Sequence, residues 1–468
     1  MPFTLNDFER DALDTLYTYA SIECLSPMFD DDWVEHGKIE KALTLLAQWS
    51  RGRELGVFTV EIVRLEGRTP VLVVTVEATN EDPATVVFYG HLDKQPPLGD
   101  WSEGLAPYVP VRRGDRIYAR GVADDGYSTF ASLLAIEQLA LAGVPHSRCV
   151  VLIEASEESG SPDLEAYLDH LTQHLGVVEL MICLDSGALT YDRLWVTTSL
   201  RGVFNVEVTV EVLTRGQHSG SASGVVPSSF RVLRQLLDRI EDSSSGRIAL
   251  DELYGLVPEG ALRAADAVAA EFGDVTAVAM PTIEGLQLMG DSPSERIINQ
   301  TWMPALSVTG MGGIPRPEQA GNVLRPFTTA TLSFRLPPNV DAHAACAAVE
   351  RVLTTDIPSQ AKVTLRSHAA DGWFGPALQP WLRAALDEAS SLAFGQPASY
   401  TGEGGTIPFL ASLGRRYPGV QIVATGVLGP GSNAHGIDEM LDLPTVVAVT
   451  NAMSVVLTRF GRREEEPS

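Results

Sequence analysis

Hydrophobic and polar positions along the chain follow two different rules. Residues 86–89, 150–153, 180–184 and 420–425 are short, mostly β-branched apolar runs, each closed by glycine, charged or turn-forming residues, which predicts strands buried on both faces. Between the first two, Phe130, Leu133, Leu134 and Leu141 recur at helical spacing before Gly143, which predicts a helix over 127–141. Helices at 13–20 and 39–51 and strands at 58–65 and 71–77 are expected ahead of these. In the middle of the chain Phe204, Val206, Val208, Val210 and Val212 alternate with Asn205, Glu207, Thr209 and Glu211, the mark of a half-exposed strand. A helix over 228–240, strands at 306–309 and 329–336, a helix over 342–353 and a strand at 362–366 complete the order βαββαβ, with helical turns inserted over 248–298 and a Gly/Pro-rich loop over 310–317. The chain is therefore expected to be α/β, with a mixed, largely parallel sheet and flanking helices built from 1–198 and 369–468, interrupted by a second domain over 199–368. The apolar helix 446–457 closes the larger domain, and the charged tail 462–468 is expected to fray.

The chemistry gathers where the buried runs end. His91 and Asp93 follow the first, Glu157 and Glu158 the second, and Asp185 the third; His435 lies in a glycine-rich loop after the fourth, and Asp124 just before the predicted helix at 127. Each has an ordinary alternative: adjacent glutamates on a loop form a solvated turn, and an aspartate before a helix is a cap. If the strands are parallel, however, all of these side chains collect at one sheet edge, where open α/β sheets bind ligands. Two imidazoles and several carboxylates in one place outline a metal site, with Asp93 placed to orient His91.

At 468 residues, with 45% hydrophobic composition, the chain has material for two cores. Thirty-four Lys and Arg against 60 Asp and Glu give a formal charge of −26, which argues against nucleic acid and against anionic membranes. Cys24, Cys149, Cys183 and Cys346 form no Cys-x-x-Cys pair, the first 32 residues have no basic-then-apolar pattern, and no uninterrupted apolar run has the length of a membrane span, so a cytoplasmic protein is expected. Gly-x-Ser-x-Gly, Gly-x-x-x-x-Gly-Lys-Ser/Thr and His-Glu-x-x-His are all absent.

Read together and in order, Gly90-His91-Leu92-Asp93, Arg120-Gly121-Val122-Ala123-Asp124-Asp125-Gly126, Glu157-Glu158-Ser159-Gly160-Ser161, Asp185, Gln217-His218-Ser219-Gly220, Gly402-Glu403-Gly404-Gly405-Thr406-Ile407-Pro408 and His435 resemble the M20 family of zinc-dependent peptidases, and within it the carnosinase-like dipeptidases. The resemblance implies two divalent ions per chain, zinc or in its place manganese or cobalt. His91, Asp124 and Asp185 would hold one and Asp124, Glu158 and His435 the other, with Glu157 as general base and Asp93 behind His91. It further implies a ferredoxin-like inserted domain acting as lid and dimerisation element. In a homodimer, His218 would reach across to stabilise the oxyanion in the partner's site, and Asn322, Arg335, His368 and Glu403 would hold a small peptide substrate. Lys94 and Gly126-Tyr127 depart from the family pattern, which bears on substrate preference. The expected reaction is hydrolysis of an amide bond in dipeptides or short peptides; an amidase or deacylase of N-acyl amino acids, and a non-catalytic peptide-binding homologue, are the alternatives.

Overall fold

The computed structural model describes residues 2–280, 282–417 and 419–463, with the backbone alone for Ala279 and Pro408; the end of the tail expected to fray, 464–468, lies outside the described residues. In chain order the elements that matter are helix α1 (Lys38–Arg51), strands β1 (Phe58–Val63), β2 (Val71–Val76) and β3 (Ala84–His91), helix α2 (Ser128–Ala142), and strands β4 (Arg148–Glu154), β5 (Val177–Cys183), β6 (Trp195–Leu200) and β7 (Gly202–Glu211). Helix α3 (Ser229–Leu237), β8 (Ala305–Gly312), β9 (Phe327–Leu336), α4 (Ala342–Thr354), β10 (Lys362–Ala370), α5 (Pro380–Ala393), β11 (Gln421–Ala424) and α6 (Leu443–Phe460) follow. They form two compact units, 1–198 with 375–401 and 412–468, and 199–374 with 402–411. The second unit thus runs six residues past the boundary expected at His368 and includes 402–411.

In the first unit the strand order is β1-β2-β4-β3-β5-β11-β6. The inner four, β4, β3, β5 and β11, pair in parallel, while β1, β2 and β6 pair antiparallel at the two sides. The apolar runs predict this arrangement: every residue of β2 and β3 is buried, so neither face could be left to water. Helix α2 is buried along nearly its whole length and ends at Gly143 in a left-handed turn (φ 63°). Helix α6 has the length and mean hydropathy (1.4) of a membrane span, but Thr450, Asn451 and Ser454 interrupt it and most of its residues are buried in the core beside α2 and α5.

The second unit has the expected βαββαβ order, folded as an antiparallel sheet β8-β9-β7-β10. Its inner face, Phe204, Val206, Val208 and Val210 with Ala330, Leu332, Phe334 and Leu336, is buried in one cluster with residues of α3 and α4. Two strands run well past their expected ends. The Gly/Pro loop begins later, because Gly310, Met311 and Gly312 continue β8 past a register shift, and β10 continues to Ala370, so His368 lies within a strand. Both are edge strands with exposed polar positions, and there the hydrophobic pattern is weakest.

Candidate metal centre

The three inner strands of 1–198 end in step. His91, the last residue of β3, pairs with Glu154, the last of β4, and Tyr89 pairs with Cys183, the last of β5. The side chains that follow are therefore delivered to one sheet edge. Gly90 has no room for a side chain, since a Cβ there would collide with Ser128 and Asp125. The buried His91 ring sets Nδ1 3.1 Å from the carbonyl of Asp93 and 3.5 Å from its Oδ1. That contact holds the Nδ1–H, leaving Nε2 to face Asp124 Oδ1 at 3.2 Å and Asp185 Oδ2 at 3.8 Å. The Asp93 carboxylate also accepts the backbone N–H of Glu157 (3.2 Å) and of Glu158 (3.0 Å), and so ties the β4 loop to the β3 loop.

Asp124 lies between the two histidines, its Oδ1 facing His91 and its Oδ2 3.0 Å from His435 Nε2. His435 Nε2 also lies 3.2 Å from Glu158 Oε2, which Gln95 Nε2 approaches at 2.8 Å. The loop carrying Asp124 is held by a group the sequence did not reveal. Glu439, fully buried, accepts N–H groups from Gly121 (2.8 Å), Ala123 (3.0 Å) and Asp124 (3.2 Å) and pairs with buried Arg120 at 2.8 Å. Arg120 donates in turn to the carbonyl of Gly436, beside His435, so one buried ion pair fixes two donor loops. Arg120 belongs to the same motif as Asp124; Glu439, in an acidic surface-like turn, carries no signal in the sequence beyond lying four residues after His435.

Lys94 and Gly126-Tyr127, where the sequence departs from the family pattern, make internal contacts. Lys94 is buried, and its ammonium donates to the carbonyls of Tyr19 (3.2 Å), Ala20 (3.2 Å) and Ile22 (2.9 Å) while its stem packs on Gly121. A Cβ on Gly126 would collide with the Tyr19 ring, and Tyr127 donates to the carbonyl of Leu184. All three act on the loops behind the centre.

The donor set fits divalent metal. Ligand atoms of His91, Glu157 and Asp185, and of His91, Asp124 and Glu158, each lie within 4.8 Å of one another. Among the described residues no Lys or Arg pairs with these carboxylates, although the local electrostatics call for cations. Burial, with repulsion from neighbouring acids, pushes Glu157, Glu158 and Asp185 above the usual carboxylate range. Burial would raise Asp124 too, but hydrogen bonds from His435 and His91 hold it low. Burial works against a charged His435, yet Asp124 and Glu158 raise it to about 10. His435 is half exposed (52%), so water screens its pairs more than those of His91. Mixed imidazole and carboxylate donors suit zinc, manganese or cobalt.

The remaining expected residues lie in the second unit. His218 is exposed, and its Nδ1 accepts the N–H of Gly220 at 3.1 Å, which leaves Nε2 as the proton-bearing nitrogen. The carbonyl of Asn322 accepts the N–H of Ser219, so the two segments lie side by side. Arg335 on β9 and His368 on β10 share the sheet face opposite the helices, since Arg335 pairs with Val203 and His368 with Asn205 of β7. Glu403, partly exposed, ends the strand Ser399–Glu403.

Comparison with known proteins identifies the family. The cysteinylglycine-S-conjugate dipeptidase of Corynebacterium striatum is 26% identical over 396 residues, 81% of this chain and 82% of that protein. The human Beta-Ala-His dipeptidase is 27% identical over 72% of this chain and 68% of its own. Among solved structures the dipeptidase Dug1p of Saccharomyces cerevisiae superposes with a TM-score of 0.77 at 21% identity, over 99% of this chain and 98% of that one, a likeness of fold. Residues 87–459, which contain every metal-donor candidate, match the peptidase family M20/M25/M40, and the chain belongs to that family.

Proposed function

We propose that the protein hydrolyses the amide bond of dipeptides or short peptides with a free terminal carboxylate, using two divalent ions. The observation that carries this reading is Asp124, whose two oxygens face two different histidines, each backed by a further carboxylate. His91 and Asp185 would hold one ion and His435 and Glu158 the other, with Asp124 shared. The chemistry that such a pair supplies when bound is Lewis acidity, lowering the pKa of a water and polarising the scissile carbonyl.

Glu157 is the general base. It lies three residues past the end of β4, its N–H is held by Asp93, and burial raises its proton affinity towards the range where a carboxyl both takes and returns a proton. It accepts the water's proton and gives it to the leaving amine. His218, with Nε2–H free to donate, stabilises the oxyanion, donated by the partner chain of a homodimer. Arg335, with Asn322, His368 and Glu403, holds the substrate, and Arg335 takes its carboxylate. The inserted unit serves as lid and dimerisation element. Four free, buried cysteines support a reducing, cytoplasmic setting.

The deciding experiment is a substrate panel with added zinc, manganese or cobalt, scored for released amino acids. Cys-Gly and β-Ala-His, the substrates in the names of relatives, head the panel beside N-acyl amino acids. Release from dipeptides is expected; release from N-acyl amino acids alone would make the protein a deacylase, and binding of dipeptides without release a non-catalytic homologue.

A further inference from the structure

Arg201, between β6 and β7, belongs to none of the motifs that mark the site in the sequence. Its backbone carbonyl accepts a hydrogen bond from Thr406 Oγ1 at 2.6 Å, and the same Oγ1 accepts one from Arg335 Nη1 at 2.8 Å. Its Nε donates to the carbonyl of Gly404 at 3.2 Å. Two guanidinium side chains are thus tied to one short segment, Gly404 to Thr406. Both are partly buried, and neither makes an ion pair among the described residues. In a chain with 60 acidic against 34 basic residues, an acidic partner would be easy to supply. Among the described residues each guanidinium, with five N–H donors, has one protein acceptor, and none of the nitrogens left without a partner is sealed from solvent. Burial and the neighbouring Arg335 draw the Arg201 pKa down to about 10, the mark of a cation lacking a counter-charge.

We propose that Arg201 is a second anion-binding residue, and that Arg201 and Arg335 together form a two-guanidinium pocket for the substrate's terminal carboxylate, with Thr406 and Gly404 fixing the pair. This deepens the reading of Arg335 given above and rests on it. A carboxylate between two planar donors is held in position as well as in charge, so the pocket sets which end of a peptide is bound. A purely structural Arg201, bracing Gly404, would affect every substrate alike.

The test compares kcat/KM for Cys-Gly and Cys-Gly amide in wild type, R201M, R335M and R201K, with metal content and thermal unfolding measured alongside. The acid-to-amide ratio is expected to fall at least about tenfold in R201M and in R335M, through loss on the acid, and by a smaller factor in R201K, which keeps charge but not the fork. If R201M does not fold, R201K decides on the same ratio. A fall in R335M with an unchanged ratio in both Arg201 variants overturns the inference and leaves the Arg335 reading standing. A fall in R201M but not R335M overturns both the shared pocket and the Arg335 reading. No fall in any variant overturns both assignments.

Discussion

Asp124 turns its two oxygens to two different histidines from a backbone that is held in place, and the holder is Glu439, which takes three N–H groups and Arg120 in a fully buried site. Removing one partner of a buried pair leaves the other charge stranded, so Glu439→Ala is expected to cost about 3–5 kcal/mol of stability, read by thermal or denaturant unfolding of the metal-free protein. Glu439→Gln, which keeps the shape, is expected to weaken metal affinity by about 10–100-fold in chelator competition, as loss of an orienting partner does. Glu157→Gln is expected to lower turnover by about 10²–10⁴-fold with metal content retained, whereas His91→Ala and Glu158→Ala lose metal. Protons report on the same centre. With its folded pKa raised to about 10 from ~6.5, His435 carries a proton at neutral pH in the metal-free protein. Its pairs with Asp124 and Glu158 then stabilise that form fully below about pH 6.5, and the gain is lost as pH rises through 10. Metal must displace that proton, so zinc binding at pH 7 is expected to release protons, seen as a calorimetric heat that depends on buffer ionisation enthalpy, and affinity is expected to rise with pH. A buffer-independent heat would remove His435 from the donor set.

Strand ends do most of the positioning, and they are also what the sequence shows best. Buried parallel strands such as β3 and β4 read as continuous apolar runs, and the polar residues that end them stand out against those runs; His91, Glu157, Glu158 and Asp185 are legible for that reason. The parallel alignment of β3, β4, β5 and β11 brings their ends together, as the intervening helical pattern implies. The edge strands read too short in the sequence, since Gly310 to Gly312 and His368 to Ala370 carry no hydrophobic alternation. Glu439 escapes sequence reading because its role is a tertiary fact: its partners, Arg120 to Asp124, lie more than 300 residues away in the chain. The surroundings of Lys94 are a tertiary fact too: the sequence shows only a departure from the family pattern that bears on substrate preference, whereas its ammonium is held by three carbonyls at the end of the helix Asp14–Ala20 and just after it. Lys94→Met is expected to take the ammonium from those carbonyls, of which Tyr19 keeps the N–H of Ile22, and to lower stability by about 1–3 kcal/mol, with little change in the relative rates on different dipeptides. A changed substrate order at unchanged stability would return Lys94 to the substrate.

Over the whole molecule, the described chain divides the candidate residues between two units, the metal-donor candidates in one and Arg201, His218 and Arg335 in the other. If His218 serves the partner's site, H218A and E157Q chains are each nearly inactive, yet random mixing restores about a quarter of wild-type activity, because half the dimers are mixed and each has one intact site of two. No recovery after verified subunit exchange would confine His218 to its own chain. The central claim, a two-ion peptide hydrolase, is tested most directly by stripping the protein of metal and titrating zinc, manganese or cobalt back while following Cys-Gly and β-Ala-His hydrolysis and bound metal together. Activity is expected to be absent without metal, to rise with binding and to saturate at two ions per chain, with Asp124→Ala losing both ions. Full activity in the stripped protein, or two bound ions with no hydrolysis of any dipeptide, would contradict it.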